Sequence, residues 1–138
     1  MDVEKSKVDL IKDFIETCPL LNGGKVNIDY IDDEIDSYSI DETPVKTDLQ
    51  KFRDGGCRKQ INFDFTIRAP FSVLENIKNS KFCDDFTKWI KQQELQRNYP
   101  KIEGAEKITC DRGTILQTTK TTAIYVIPIH LEYVEEVY

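Results

Sequence analysis

Ile61-Asn62-Phe63-Asp64-Phe65-Thr66-Ile67-Arg68 alternates, without exception, between a large apolar and a polar side chain. Successive side chains of a strand point to opposite faces, so this octet predicts a β-strand with one face in a core and the other wet. Pro70 predicts its end. The matching pattern lies near the other end of the chain. Tyr125, Ile127, Ile129, Leu131 and Tyr133 alternate with Val126, Pro128, His130 and Glu132, which predicts a long strand from about Thr122 to Tyr133. Proline has no amide to give to a ladder, so the amide side of Pro128 should face an edge or a bulge.

Outward from the first strand, shorter elements follow. Val26, Ile28 and Tyr30 alternate with Asn27 and Asp29, and Asp32-Asp33-Glu34 reads as a turn into a second strand, Ile35 to Ile40; together they predict a hairpin. Thr43-Pro44 closes it. Val45 to Arg58 is polar and ends in Asp54-Gly55-Gly56, an excursion with room for a short helix over Lys46 to Phe52. On the other side, Ser72 and Glu75 have the spacing of a capping box. A short helix to Lys78 is expected there, then a longer one capped by Asn79 or Ser80. That second helix carries Phe82, Cys83, Phe86, Trp89 and Ile90 on one face and stops before Asn98-Tyr99-Pro100. Ala105 to Asp111 and Ile115 to Thr119 predict two strands around Arg112-Gly113.

At the N-terminus, Val3, Lys7, Leu10, Ile11, Phe14, Ile15 and Cys18 recur at steps of three and four, apolar at all but one position. They predict an amphipathic helix that Pro19 stops, with a turn at Asn22-Gly23-Gly24. The order is α-ββ-β-αα-βββ. Helices gathered on one face of a mostly antiparallel sheet satisfy that order, so the expected fold is α+β. With 138 residues, the expectation is a single domain over 1–138 with a core that needs neither disulfide nor metal.

Composition narrows the partners. The formal net charge is −6, opposite to the basic excess that neutralises phosphates, so no sequence-specific nucleic-acid partner is expected. The one basic cluster, Lys51, Arg53, Arg58 and Lys59, is interrupted by Asp54 and preceded by Asp48. The charged opening decapeptide lacks the apolar core of a signal peptide. The longest apolar stretch, Ala123 to Ile129, is too short to span a bilayer. No membrane partner is expected, and the cytoplasm is the expected compartment. Cys18, Cys57, Cys83 and Cys110 lie 39, 26 and 27 residues apart, and no CxxC occurs, so reduced, structural thiols are expected.

Chemistry is sparse. His130 is the only histidine, which leaves no histidine-rich metal site. Beside Pro128 and Glu132 it reads as a surface or interface residue. The acidic run Asp29-Tyr-Ile-Asp-Asp-Glu-Ile-Asp36 has no central glycine and reads as a solvated hairpin tip rather than a calcium loop. Gly23-Gly24 and Gly55-Gly56 lack the lysine and hydroxyl residue of a phosphate loop. No enzyme, cofactor, metal or catalytic residue is expected. Long polar loops on a rigid scaffold commonly carry contacts, so Arg53, Asp54 and Arg58 in the excursion and Arg112 in the later turn are the candidate protein-interface residues.

Several segments carry a resemblance. Ile28-Asp-Tyr30, Tyr38-Ser-Ile-Asp-Glu-Thr-Pro44, Arg58-Lys-Gln-Ile-Asn-Phe-Asp-Phe65 and Ile77-Lys-Asn-Ser-Lys-Phe-Cys-Asp-Asp-Phe-Thr-Lys-Trp-Ile90 resemble a family of phages and phage-derived tail particles of Firmicutes, especially clostridia. Members are labelled minor capsid proteins, and some carry an acetyltransferase-type resistance label that the sparse chemistry argues against. In size and layout the family is similar to tail terminator proteins. The resemblance implies a virion structural protein forming a ring, usually a homohexamer, at the head-proximal end of the tail tube. It would be made in the host cytoplasm and act in head–tail connection. Its implied partners are copies of itself, the tail tube protein, a neck or collar protein and, in a contractile tail or tail-like bacteriocin, the sheath protein. Another neck component, a completion or stopper protein, is the alternative. The family motif marks no catalytic residue.

Overall fold

In the computed structural model, residues 6–21, 25–28, 37–43, 47–53, 55–70 and 73–135 are described. Two long strands, β4 (Cys57–Pro70) and β7 (Thr122–Glu135), run antiparallel along their whole length, with Cys57 opposite Glu135 and Pro70 opposite Thr122. They are the two alternating segments of the sequence. Shorter strands divide the outer side of each. Beside β4 lie β2 (Ser37–Glu42) and β3 (Thr47–Lys51); beside β7 lie β5 (Ala105–Cys110) and β6 (Thr114–Thr118). β1 (Val26–Ile28) adds to β2, giving a mixed seven-stranded sheet. With two helices, this is an α+β fold.

α1 (Lys7–Glu16) and α2 (Val73–Leu95) cover one face of the sheet. Ile61, Phe63 and Phe65 of β4 and Ile127, Ile129 and Leu131 of β7 are fully buried on that face. Phe86 of α2 stacks on Phe65 with ring centroids 4.8 Å apart, and Phe14 of α1 meets Trp89 of α2 at 5.2 Å. Each such side chain contributes about 1.5–3 kcal/mol by leaving water. Ser6 caps α1: its hydroxyl accepts from the Asp9 amide and the Asp9 carboxylate accepts from the Ser6 amide. A 3₁₀ turn, Pro19–Leu21, follows the helix.

Four expectations are corrected. β1 and β2 do not form a hairpin: they pair in parallel, with Val26 beside Tyr38. Alternation shows which face of a strand is buried and is blind to its direction. The polar excursion is strand β3, which forms a hairpin with the start of β4, so Arg58 lies in a strand and not in a loop. Its turn is the Gly55 region, where Gly55 adopts φ +93° and the Phe52 amide donates to the Gly56 carbonyl. The pair of helices is one continuous helix, α2. Asn79 does not cap: it lies buried within α2, and its Nδ2 donates to the Tyr125 hydroxyl at 3.2 Å. A partner across the core replaces the local backbone bond that would have ended the helix. The Asn22-Gly23-Gly24 turn, the acidic segment 29–36, Pro44, Asp54 and Ser72 lie outside the described residues.

Pro128 sits where the sequence requires. The outer side of β7 is paired by β5 up to Ile129 and by β6 from Val126, and between them the Asp111 amide donates to the Pro128 carbonyl. The missing amide therefore falls at the junction of two ladders. No helix among the described residues is long and apolar enough to cross a membrane.

Candidate interaction surface

The face of the sheet opposite the helices is built from the polar half of each alternation. Arg58, Gln60, Asn62, Asp64 and Arg68 of β4 stand beside Ile124, Val126, Pro128, His130, Glu132 and Val134 of β7, all half-buried. Among the described residues no helix lies over this face.

His130 is engaged through both ring nitrogens. Its Nε2 lies 2.8 Å from Asp111 Oδ2, and its Nδ1 lies 2.6 Å from Asn62 Oδ1. Gln60 donates to the same Asn62 oxygen at 2.8 Å. Both ring nitrogens lie against oxygens, and this arrangement ties β4, β7 and the β5–β6 connection together. Among the described residues no group of three His, Cys, Asp or Glu side chains is placed to hold a metal ion.

The candidate interface residues divide into two places. Arg53 is exposed in the β3–β4 turn. Arg58, next along, lies with its guanidinium on Glu106 of β5 and donates to Gln50 Oε1 of β3 at 2.7 Å. The same guanidinium lies 5.9 Å from the centre of the Phe52 ring. Arg58 thus clamps three strands at one end of the sheet. Arg112 is exposed in the β5–β6 connection. Along β7, Arg58 is level with Val134 and the connection with Pro128. Six residues of strand separate the two places by roughly 20 Å. One contact patch cannot be centred on both.

Exposed apolar residues lie at positions that no sequence period marks. Ile115 and Leu116 of β6 are 51% and 68% exposed, and Leu95 at the end of α2 is 84% exposed. Leu95 borders an open groove of about 380 Å³ between the 3₁₀ turn and α2, lined also by Leu20, Lys88 and Trp89. The sequence held one signal for β6, a strand-forming run with no charge between Arg112 and Lys120.

Burial pushes three thiols up: Cys83 to about 11, and Cys18 and Cys110 above their usual value. All four cysteines are free thiols. Compared with protein-family models and with curated proteins, the chain matches none.

Proposed function

We propose that this protein is a phage tail terminator: a ring, built from copies of the chain, that caps the head-proximal end of a tail tube and joins it to the neck. The observation that carries the reading is the two-sided subunit. One face of the sheet is covered by α1 and α2, while the other, with Arg58, His130 and Val126, has no helix over it among the described residues. A tube of identical stacked rings regenerates its own growing end at every step and has no intrinsic stop. Termination needs a subunit that matches the growing end on one side and presents a different surface on the other. The engagement of both His130 nitrogens supports a structural role over an acetyltransferase. The resemblance in the segments from Ile28 to Ile90 supports the placement in a tail.

Deleting the gene is expected to give overlong tubes with uneven ends, and adding the purified protein to growing tubes is expected to halt them. Tails of normal length that fail to join heads would assign the protein to the neck instead.

A further inference from the structure

The β5–β6 connection is fastened to β7 at two points, and one of them depends on a proton. The first is backbone: the Asp111 amide donates to the Pro128 carbonyl at 2.9 Å. The second is the Asp111 carboxylate, whose Oδ2 lies 2.8 Å from Nε2 of His130. On the far side of the ring, Nδ1 lies 2.6 Å from Asn62 Oδ1. That oxygen also accepts from Gln60 Nε2 at 2.8 Å, which orients the Asn62 amide with its oxygen towards the ring. Gln60 Nε2 stands 3.5 Å from the same Nδ1, at the limit of hydrogen-bonding reach. Both ring nitrogens therefore face acceptors. A carboxylate and an amide oxygen supply lone pairs only, so each contact needs an N–H from the ring. A neutral imidazole has one N–H, and the imidazolium has two. The network as it stands is that of the charged ring.

The other groups nearby leave this pair in place. Glu132 follows two residues on along the same face of β7, with its carboxylate 3.7 Å from Lys107 of β5. Asp64 of β4 lies opposite Pro128, and β5 sets the neutral Thr109 opposite His130 itself. Among the described residues, only Asp111 brings a charge into contact with the ring. The His130 side chain is 25% exposed and that of Asp111 65%, so water and protons reach both. Imidazole ordinarily changes its charge between pH 5 and 8. We infer that His130 is a proton-operated fastener. As the imidazolium it pins the β5–β6 connection, with Arg112, to the sheet, and on losing a proton it loosens the connection. Two routes follow that loss. If the remaining hydrogen sits on Nδ1, Nε2 turns a lone pair towards the Asp111 carboxylate, which leaves for water. If it sits on Nε2, the Asn62 and Gln60 amides must turn over to offer Nδ1 a donor. Either route ends the ion pair with Asp111. The device concerns the connection alone and stands or falls apart from the ring reading above.

The test is nuclear magnetic resonance of the intact chain between pH 5 and 8, with His130→Gln and Asp111→Asn for comparison. At pH 5 both His130 ring nitrogens should carry hydrogen. As the ring loses its proton, the Asp111 backbone amide and Asn62 side-chain amide signals should move with the same midpoint. Protection of the Asp111 amide against hydrogen exchange, corrected for the intrinsic effect of pH, should fall about two- to fivefold, the factor that an exposed ion pair supports. Glutamine has no titrating proton and asparagine no charge, so in each variant that protection should stay constant with pH. Asp111 and Asn62 signals that stay still while the ring titrates would overturn the inference. A ring already neutral at pH 5 would do the same, as would a wild-type protection that changes no more than the variants' does. Should either variant fail to fold, the wild-type titration decides on its own.

Discussion

Gly113 lies directly against Cys83: a Cβ at position 113 would stand 2.9 Å from the Cys83 Sγ and 3.1 Å from Ile127 Cγ1. The chain between β5 and β6 thus dips onto α2, and only a residue without a side chain lets it do so. Gly113→Ala should destabilise the fold by about 1–3 kcal/mol, the cost of overpacking a core. Cys83→Ala removes the nearest obstructing atom. The double variant should therefore lose less than the sum of the two single losses in urea unfolding. Strict additivity would show that the two sites are independent.

Phe86 is fully buried between Phe65 at 4.8 Å and Trp89 at 5.8 Å. Phe86→Ala should cost about 3–5 kcal/mol. Domains of this size are stable by only about 5–15 kcal/mol, so the urea midpoint should fall by a large fraction. A loss below about 1 kcal/mol would mean that α2 is not pinned to the sheet through this ring.

Arg97 adopts φ +54°, in the left-handed region, just past the end of α2. The Asn98 amide donates back to the Gln93 carbonyl and the Arg97 amide to the Glu94 carbonyl, the pattern of a helix end that favours glycine. Arg97→Gly should raise stability by about 0.5–1 kcal/mol, measured by denaturant unfolding. Arg97→Val, β-branched at the same φ, should lower it.

Thiol chemistry should follow burial. With Cys83 pushed up to about 11, only about one molecule in a thousand carries that thiolate at pH 8. The half-buried Cys57 should react first with a thiol reagent, Cys18 and Cys83 last, and all four together in denaturant. The raised Cys83 value has a sign for stability. Folding holds the proton more tightly than the unfolded chain does, so its contribution is complete below the unfolded value and lost as pH climbs towards about 11.

The two arginines of the β3–β4 hairpin should separate folding from assembly. Arg53 is exposed, and Arg53→Glu should leave the unfolding midpoint within about 0.5 kcal/mol of wild type while weakening assembly. Arg58→Glu sets a carboxylate against Glu106 and gives up the Gln50 bond, so it should also cost about 0.2–1 kcal/mol of stability. Wild-type assembly by both variants would make this hairpin ordinary surface.

Alternation alone determined the two long strands. Ile61 to Arg68 and Tyr125 to Tyr133 can bury their apolar halves only as strands, and that period is a local property of the chain. The same holds for the core residues Phe63, Phe65, Ile127 and Ile129, and for the break that Pro128 demands in a ladder. Three features were decided only by tertiary contacts. The direction of β1 beside β2 has no sequence period. β3 has no apolar alternation of its own, so it reads as a loop until its partner β4 is in place. Asn79 stays within one helix because Tyr125, 46 residues away, satisfies it. The interface candidates divide in the same way. Arg53, Arg58 and Arg112 stand out in the sequence as charges in polar segments, but their separation is set by the length of β7. The helix carboxylates that reach the Val26 and Ile108 amides likewise exist only once α1 and α2 are packed on the sheet.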